Sequence, residues 1–220
     1  MSKLFVVPTP IGNLKDITLR ALEILNSVNN IICEDTRKTT ILLNKYQIKN
    51  KKLISYYAPK EDKKIPYLIN LLKKESCALV VDAGTPGISD PGYKLIKACL
   101  ENNIEIEVLP GPTAFLTALI GSGLPTDRFL FLGFLPKKGL EKFLKKFIDL
   151  DVTIVFYESS QRILNTLKII EKIIENCNVV IAREISKIYE EYIRGELKGV
   201  IKLLENKKLK GELTIVIRKF

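Results

Sequence analysis

The sequence contains no histidine among its 220 residues. This absence excludes histidine general bases, Ser-His and Cys-His nucleophile systems, and metal sites with histidine ligands. Any chemistry must therefore use carboxylates, lysine, tyrosine, backbone amides or a cosubstrate that is itself reactive. The sequence also lacks the GxxxxGK(S/T) phosphate-binding loop and the GxGxxG dinucleotide fingerprint.

Cysteine is scarce, and no CxxC spacing is present. Cys33, Cys77, Cys99 and Cys177 lie singly among apolar neighbours, so we expect buried reduced thiols and no metal site. No apolar run approaches the roughly 18 residues of a membrane span. With 46% hydrophobic residues, the composition is that of a globular protein. We expect a soluble cytoplasmic protein that does not associate with membranes.

Basic residues exceed acidic ones, and the formal net charge is +10. A polyanionic partner would suit this charge, and nucleic acid is the first candidate. Most of the basic residues are lysines, and the chain is also rich in isoleucine and asparagine. A base-composition bias in the coding DNA is therefore a competing explanation for the charge.

Residues 80–92, with the sequence VVDAGTPGISDPG from residue 80, organise the rest of the chain. The apolar run 77–81 predicts a buried strand that ends on Asp82, and residues 93–100 form an amphipathic pattern typical of a helix. Asp90 is the predicted N-cap of that helix, with Pro91 in its first position. A strand and a helix can be joined by two to six residues, so this longer Gly/Pro loop favours ligand binding over a simple double turn.

Similar loops follow other predicted strands. PTPIGN follows a strand at 4–7 and precedes a helix at about 16–26, EDTRKT follows a strand at 30–33, and PGPT follows a strand at 106–109. Asp35 or Thr36 would cap the helix after the second of these strands. Ligands of α/β sheets bind outside the carboxyl ends of the strands, which is where these loops would lie.

The break at residues 121–128 predicts a domain boundary, giving an N-terminal α/β domain at 1–120 and a C-terminal α/β domain at 121–220. Strands predicted at 129–132, 152–157, 179–182 and 213–217 alternate with helices in the second half. YESSQR follows one of these strands and REISK follows another. Glu158 and Arg183 in these motifs are either site residues or ordinary surface charges.

Many ordered motifs together resemble the tetrapyrrole methylase superfamily of S-adenosylmethionine-dependent enzymes. The resemblance spans VPTPIGNLKDIT, CEDTRKT, VDAGTPGISDPGY, PGPTA, SGLPTDRF, FLGFLPKK, FYESSQRI, REISK and RGE. It implies two α/β domains with a cofactor cleft between them. Within the superfamily the chain is most similar to the branch that acts on small-subunit (16S) ribosomal RNA, which implies 2′-O-methylation of a cytidine ribose near the decoding site by a homodimer. Gln161 and residues 57–61 depart from that branch's pattern.

The strand-end loops and the resemblance together give three sets of expected site residues. S-adenosylmethionine is expected to bind at Pro8, Pro10, Gly12, Asp82, Ala83, Gly84, Thr85, Pro86, Gly87, Ser89, Asp90, Thr113, Tyr157, Arg183 and Glu184. RNA is expected to contact Arg37, Lys38, Lys137, Lys138, Lys145 and Lys146. The candidate catalytic residues are Glu158, Lys187, Glu34 and Asp35.

Two other functions remain open at this point. One is methylation of a tetrapyrrole or another small acceptor, against which the EDTR and YESSQRI motifs and the positive charge argue. The other is a ribosome assembly factor without catalytic activity, which the intact GTPGISDPG motif disfavours. Each would use the same fold.

Overall fold

In the computed structural model, which describes residues 2–58 and 61–220, the chain divides into two units, Met1–Thr113 and Ala114–Phe220. Each unit is built on one five-stranded sheet. The boundary expected from the sequence lies at residue 120. The structure instead assigns helix α5 (Ala114–Ser122) to the second unit, where it packs against strands of the second sheet.

The first unit has the alternating order of an α/β domain. Its elements in chain order are β1 (Lys3–Val6), α1 (Leu19–Ser27), β2 (Asn30–Cys33), α2 (Thr36–Lys45), β3 (Lys52–Ser55), α3 (Glu61–Leu72), β4 (Cys77–Val80), α4 (Tyr93–Glu101) and β5 (Glu105–Val108). The sheet order is β3-β2-β4-β1-β5, and every pairing is parallel.

Both faces of this sheet are covered, which explains why its inner strands are largely apolar. Every residue of β2 and β4 is buried. Ile32 and Leu79 belong to the core on one face, whereas Ile31 and Val80 belong to the core on the other. Strands buried on both faces are typical of all-parallel sheets. The predicted strands of this unit are confirmed to within one or two residues at each end.

The helix predicted at about 16–26 is shorter than expected. A short 3-10 helix covers Leu14–Asp16, and α1 begins only at Leu19. The cause is local, because the Thr18 hydroxyl accepts a hydrogen bond from the Ala21 amide at 3.1 Å and so caps α1.

The second unit is also α/β, but its sheet is mixed. Its elements after α5 are β6 (Phe129–Phe134), α6 (Leu140–Leu144), β7 (Thr153–Ser159), α7 (Ile163–Glu171), β8 (Cys177–Arg183), β9 (Glu191–Glu196), α8 (Leu197–Asn206) and β10 (Glu212–Lys219). The order is β6-β7-β10-β8-β9, in which only the β6–β7 pair is parallel. Strand β9 is an element that the sequence pattern does not predict.

The main hydrophobic core of the second unit lies on one face of its sheet. Phe156 and Ile215 are fully buried there, as is Leu167 of α7, and Leu204 of α8 is nearly so. Helix α5 packs on β7, β8, β9 and β10. All four cysteines of the chain are buried and free, so the expected burial of the thiols is confirmed. Across the part of the chain that is described, no helix is long and apolar enough to cross a membrane.

Candidate functional site

The loops after β1 and β4 are joined by a pair of backbone hydrogen bonds. The Thr9 amide donates to the Gly84 carbonyl and the Gly84 amide donates to the Thr9 carbonyl, both at 2.9 Å. The buried Thr9 hydroxyl also donates to the Val81 carbonyl at 2.9 Å. Because β1 and β4 are neighbours in the sheet, this pairing extends their contact beyond the strand ends and fixes the two loops to each other.

The loop after β4 takes backbone conformations that favour glycine. Gly84 has a φ of +82° and Gly87 a φ of +84°, as expected for glycines that allow a left-handed turn. The predicted N-cap at Asp90 is wrong, since α4 begins at Tyr93 and its N-cap is Gly92 with a φ of +146°. The Pro91 carbonyl accepts a hydrogen bond from the Gly87 amide at 3.1 Å, so Pro91 belongs to the loop and not to the helix.

The loop after β5 closes on the other two. The Thr85 hydroxyl lies 3.2 Å from the Pro112 carbonyl oxygen and 2.9 Å from the Thr113 hydroxyl. An ideal Cβ on Gly111 would lie 2.6 Å from the Pro8 Cβ, so the backbones approach as closely as glycine allows. The structure thus brings together three of the strand-end loops in which the sequence predicts a ligand site. We call these three segments, residues 8–12, 82–92 and 110–113, the loop cradle.

Asp82 connects the loop cradle to the EDTR motif after β2. Its carboxylate accepts a hydrogen bond from the Asp35 amide at 3.1 Å and pairs with the Lys38 ammonium at 2.9 Å. Its own amide donates to the Glu34 carboxylate at 3.3 Å. Asp35 caps α2 as predicted, through a 2.9 Å bond from the Arg37 amide. Glu34, Asp35 and Asp82 therefore form one cluster at the carboxyl edge of the sheet.

The two carboxyl groups of the EDTR motif have opposite pKa shifts. Burial raises the pKa of Glu34, and the nearby Asp82 charge acts in the same direction. Hydrogen bonds from the Arg37 side chain and amide lower the pKa of Asp35 to about 2. Glu34 is therefore the better proton acceptor of the pair, whereas Asp35 keeps a fixed negative charge.

Glu61 is a residue of this edge that the sequence reasoning missed. Its buried carboxylate accepts a hydrogen bond from the Gly92 amide at 3.2 Å, at the point where the loop after β4 enters α4. An acidic residue in the first turn of a helix usually faces solvent, so the sequence offers no signal for this contact. Glu61 ends the divergent segment 57–61, of which Pro59 and Lys60 lie outside the described residues.

In the second unit, Glu158 is a buried member of strand β7, only 2% exposed. Its carboxylate accepts hydrogen bonds from the Thr166 hydroxyl at 2.7 Å and the Ser159 amide at 2.8 Å, and it lies 3.4 Å from the Arg162 guanidinium. The strand predicted to end at residue 157 continues to Ser159. These contacts are those of a residue that stabilises the fold.

The REISK motif folds into a network of its own within the second unit. The Glu184 carboxylate accepts hydrogen bonds from the Glu212 amide at 2.9 Å and from Lys187 at 3.0 Å. Arg183 donates to the Lys210 carbonyl at 2.6 Å and to the Tyr189 carbonyl at 3.3 Å. Burial acts to lower the pKa of Lys187, but the bonds to Glu212 and Glu184 outweigh it and raise the pKa. The depressed pKa that a lysine base requires is therefore not found.

The expected RNA-contact lysines of the second unit are exposed. Lys137 and Lys138 follow β6, whereas Lys145 and Lys146 follow α6. Lys145 pairs with Glu141 at 2.7 Å. Within residues 2–58 and 61–220, no three histidine, cysteine, aspartate or glutamate side chains are arranged so that they could hold a metal ion together.

Comparisons with known proteins agree with this architecture. The family model of the tetrapyrrole (corrin/porphyrin) methylases matches residues 3–201. The chain is 56% identical to a ribosomal RNA small subunit methyltransferase I of Hydrogenobaculum sp., over 99% of this chain and 96% of that protein. It is 46% identical to the Thermotoga maritima protein of the same name, over 99% of this chain and 98% of that protein.

A solved structure shows the same fold at low sequence identity. The uroporphyrin-III C-methyl transferase from Thermus thermophilus, complexed with S-adenyl homocysteine, matches with a TM-score of 0.67 and 18% identity. The match covers 98% of this chain and 97% of that chain.

We predict that Gly92→Ala destabilises the protein by about 1–3 kcal/mol, because φ near +146° is essentially restricted to glycine. The added Cβ would also lie 2.9 Å from the Gly87 backbone nitrogen. Urea unfolding measures the change. The matched control is Gly199→Ala in α8, where the added Cβ would have no other atom within 4 Å. This substitution should increase the free energy of unfolding by about 0.5–1 kcal/mol. Equal effects of the two substitutions would contradict this account of the loop.

We predict that Glu34→Gln becomes more stable relative to the wild type as pH rises from 4 to 7. A carboxyl group has an unfolded pKa of about 4.3, and the folded pKa of Glu34 lies above it. The folded state therefore favours the neutral form, and ionisation of Glu34 costs stability as pH passes the folded pKa. Glutamine avoids that cost.

Melting temperatures measured across this pH range test the sign. Asp35→Asn is the control, because the lowered pKa of Asp35 gives stability that is present above about pH 3.9 and lost as pH falls towards 2. That variant should be less stable than the wild type at pH 7. Parallel pH profiles for the two variants would show the assigned shifts to be wrong.

Proposed function

The chain belongs to the tetrapyrrole (corrin/porphyrin) methylase family and, within it, to the ribosomal RNA small subunit methyltransferase I proteins, and from this premise we propose that it transfers a methyl group from S-adenosylmethionine to small-subunit (16S) ribosomal RNA. The observation that carries the proposal is the interlocked loop cradle, in a chain that matches relatives of that name along its whole length.

The loop cradle fits a ligand that packs against a preformed main chain. Glycine at positions 84 and 87 allows the tight turns of the loop after β4, and the hydrogen bonds between Gly84 and Thr9 hold those turns in place. The cluster beside it contains the carboxylates of Glu34, Asp35 and Asp82, opposed by the two cations Arg37 and Lys38. An excess of negative charge favours a cationic cosubstrate such as a sulfonium.

S-adenosylmethionine supplies both the methyl group and its own leaving group when bound. The residues of this chain then need to hold the acceptor in line and to accept a proton, which is consistent with a protein that lacks histidine. We assign the proton acceptor as Glu34, because burial raises its pKa and it lies beside the loop cradle. Glu158 and Lys187 are assigned to positioning roles, given their contacts within the second unit.

The finer features of the proposal rest on the resemblance. They are a cytidine ribose 2′-hydroxyl near the decoding site as acceptor, an assembled small subunit as substrate, a homodimer as the working form and the cytoplasm as its location. A net charge of +10 supports a ribonucleoprotein substrate over a small tetrapyrrole.

We predict that the purified protein transfers labelled methyl groups to small ribosomal subunits isolated from a strain that lacks this activity. Glu34→Gln should slow single-turnover transfer by about 10²-fold or more, because the hydroxyl loses its proton acceptor. Glu101→Gln, an exposed glutamate at the end of α4, is the matched control and should keep the wild-type rate. No transfer by the wild type would refute the proposed function, whereas a wild-type rate for Glu34→Gln would refute only the role of Glu34.

We predict that the affinity for small subunits falls with salt, with a log–log slope of about −0.7 for each single-strand phosphate neutralised. Reversing the charge of Lys137 and Lys138 together should weaken binding and flatten the slope by about 1.4, if each lysine neutralises one phosphate. The control reverses Lys73 and Lys74, two exposed lysines after α3, and changes the net charge equally. A wild-type slope near zero would favour a small acceptor.

A further inference from the structure

Five aromatic rings form a continuous row in the second unit. Phe129 lies 6.2 Å from Phe115 between ring centroids, and Phe115 stacks on Phe131 at 4.2 Å. Tyr157 lies 5.1 Å from Phe131 and 5.2 Å from Phe134. We call these five residues the aromatic row. Its two ends are exposed, Phe129 by 41% and Phe134 by 65%.

A β-bulge places Phe134 in this row. In a regular strand, residues three apart point to opposite faces of the sheet. Here the register with β7 shifts between Phe131 and Phe134, and Gly133 has a φ of +61°. The extra residue reverses the alternation, so that Phe131 and Phe134 both contact Tyr157. Bulges often re-aim a side chain next to a functional site.

The segment that follows Phe134 is held rigidly. Leu135 is buried. The Arg162 guanidinium donates hydrogen bonds to the carbonyl oxygens of Leu135 and Pro136, at 3.3 and 3.1 Å. Arg162 is itself anchored by the buried Glu158 carboxylate. Leu135 and Pro136, held by these hydrogen bonds, lie between the exposed Phe134 ring and the exposed Lys137 and Lys138.

A large exposed ring beside two exposed positive charges matches the chemistry of an unpaired nucleotide. Bases without a pairing partner stack on aromatic side chains, and lysines neutralise the adjacent phosphates. We propose that residues 134–138 form an RNA-contact element in which the Phe134 ring, backed by Tyr157, stacks on an unpaired base while Lys137 and Lys138 bind flanking phosphates. This inference rests on the proposed function and specifies an unpaired stretch of RNA as the form that the chain recognises.

The test separates base stacking from phosphate binding. The probes are a fluorescently labelled oligocytidylate and an abasic ribose-phosphate oligomer of the same length, and the readout is their affinity ratio. The wild type should bind the oligocytidylate about 5- to 100-fold more tightly than the abasic oligomer. Phe134→Leu should bring the ratio close to one, and Phe134→Trp should preserve it. Lys137→Ala with Lys138→Ala should weaken both probes equally and leave the ratio unchanged.

Phe129→Leu is the matched control, since Phe129 is the other exposed end of the aromatic row and follows the opposite charges Asp127 and Arg128. It should keep the wild-type ratio. Equal or absent binding of the two probes by the wild type would overturn the inference, as would an unchanged ratio in Phe134→Leu. Loss of S-adenosylmethionine affinity with an unchanged ratio would assign the ring to the cofactor, and a changed oligomeric state with an unchanged ratio would assign it to a second copy.

The proposed function is measured separately, by methyl transfer from the wild type to small subunits. If transfer fails while the base-dependent ratio remains, the function is wrong and the RNA-contact element stands. If transfer occurs while the wild type shows no ratio, the element is wrong and the function stands.

Discussion

The paired hydrogen bonds between Thr9 and Gly84 are the constraint on which the first unit's loops depend. Parallel strands normally diverge into separate loops at their carboxyl ends, but here the main chains continue to pair in the antiparallel sense. Gly84 can make this pairing because a φ of +82° reverses the chain without a steric penalty. The Thr9 side chain adds a third bond, to Val81, so neither loop can shift without breaking hydrogen bonds in a buried setting. The rigidity of the two loops therefore follows from hydrogen bonds and backbone geometry.

Asp82 adds charge interactions to this backbone constraint. It lies two residues before Gly84 in the loop after β4, and both its amide and its carboxylate contact the EDTR motif. Burial raises the pKa of Glu34, the hydrogen bond from the Asp82 amide acts against that rise, and the Asp82 charge adds to it. Lys38 pairs with Asp82 and partly compensates the Asp82 charge. The loop that would hold the cosubstrate therefore also contacts the proposed proton acceptor directly.

Much of the first unit could be predicted from the sequence, because strands buried on both faces form nearly continuous apolar runs. Contacts between residues that are distant in sequence could not be predicted in this way. The predicted N-cap at Asp90 is wrong because the Gly87 amide donates to the Pro91 carbonyl, which keeps Pro91 in the loop. The contact of Glu61 could not be predicted because its partner, Gly92, lies 31 residues away in the chain. In the second unit, β9 is an edge strand with a single buried residue, Ile193, and the bulge at Gly133 changes which face Phe134 occupies. A strand's register depends on its partner, so the pattern of one strand does not reveal it.

The two units fix their functional segments by different physical means. The loop cradle is held by backbone hydrogen bonds and glycine conformations, which salt screens little because they involve no exposed charges. The RNA-contact element instead presents exposed lysines, whose attraction for phosphate is screened within about 8 Å at physiological ionic strength. Its framework, in which Arg162 is anchored by the buried Glu158 carboxylate, is less exposed to that screening. Salt should therefore change how strongly RNA is held without changing the shape that holds it, so that discrimination between stacked and abasic nucleotides persists where overall affinity has fallen.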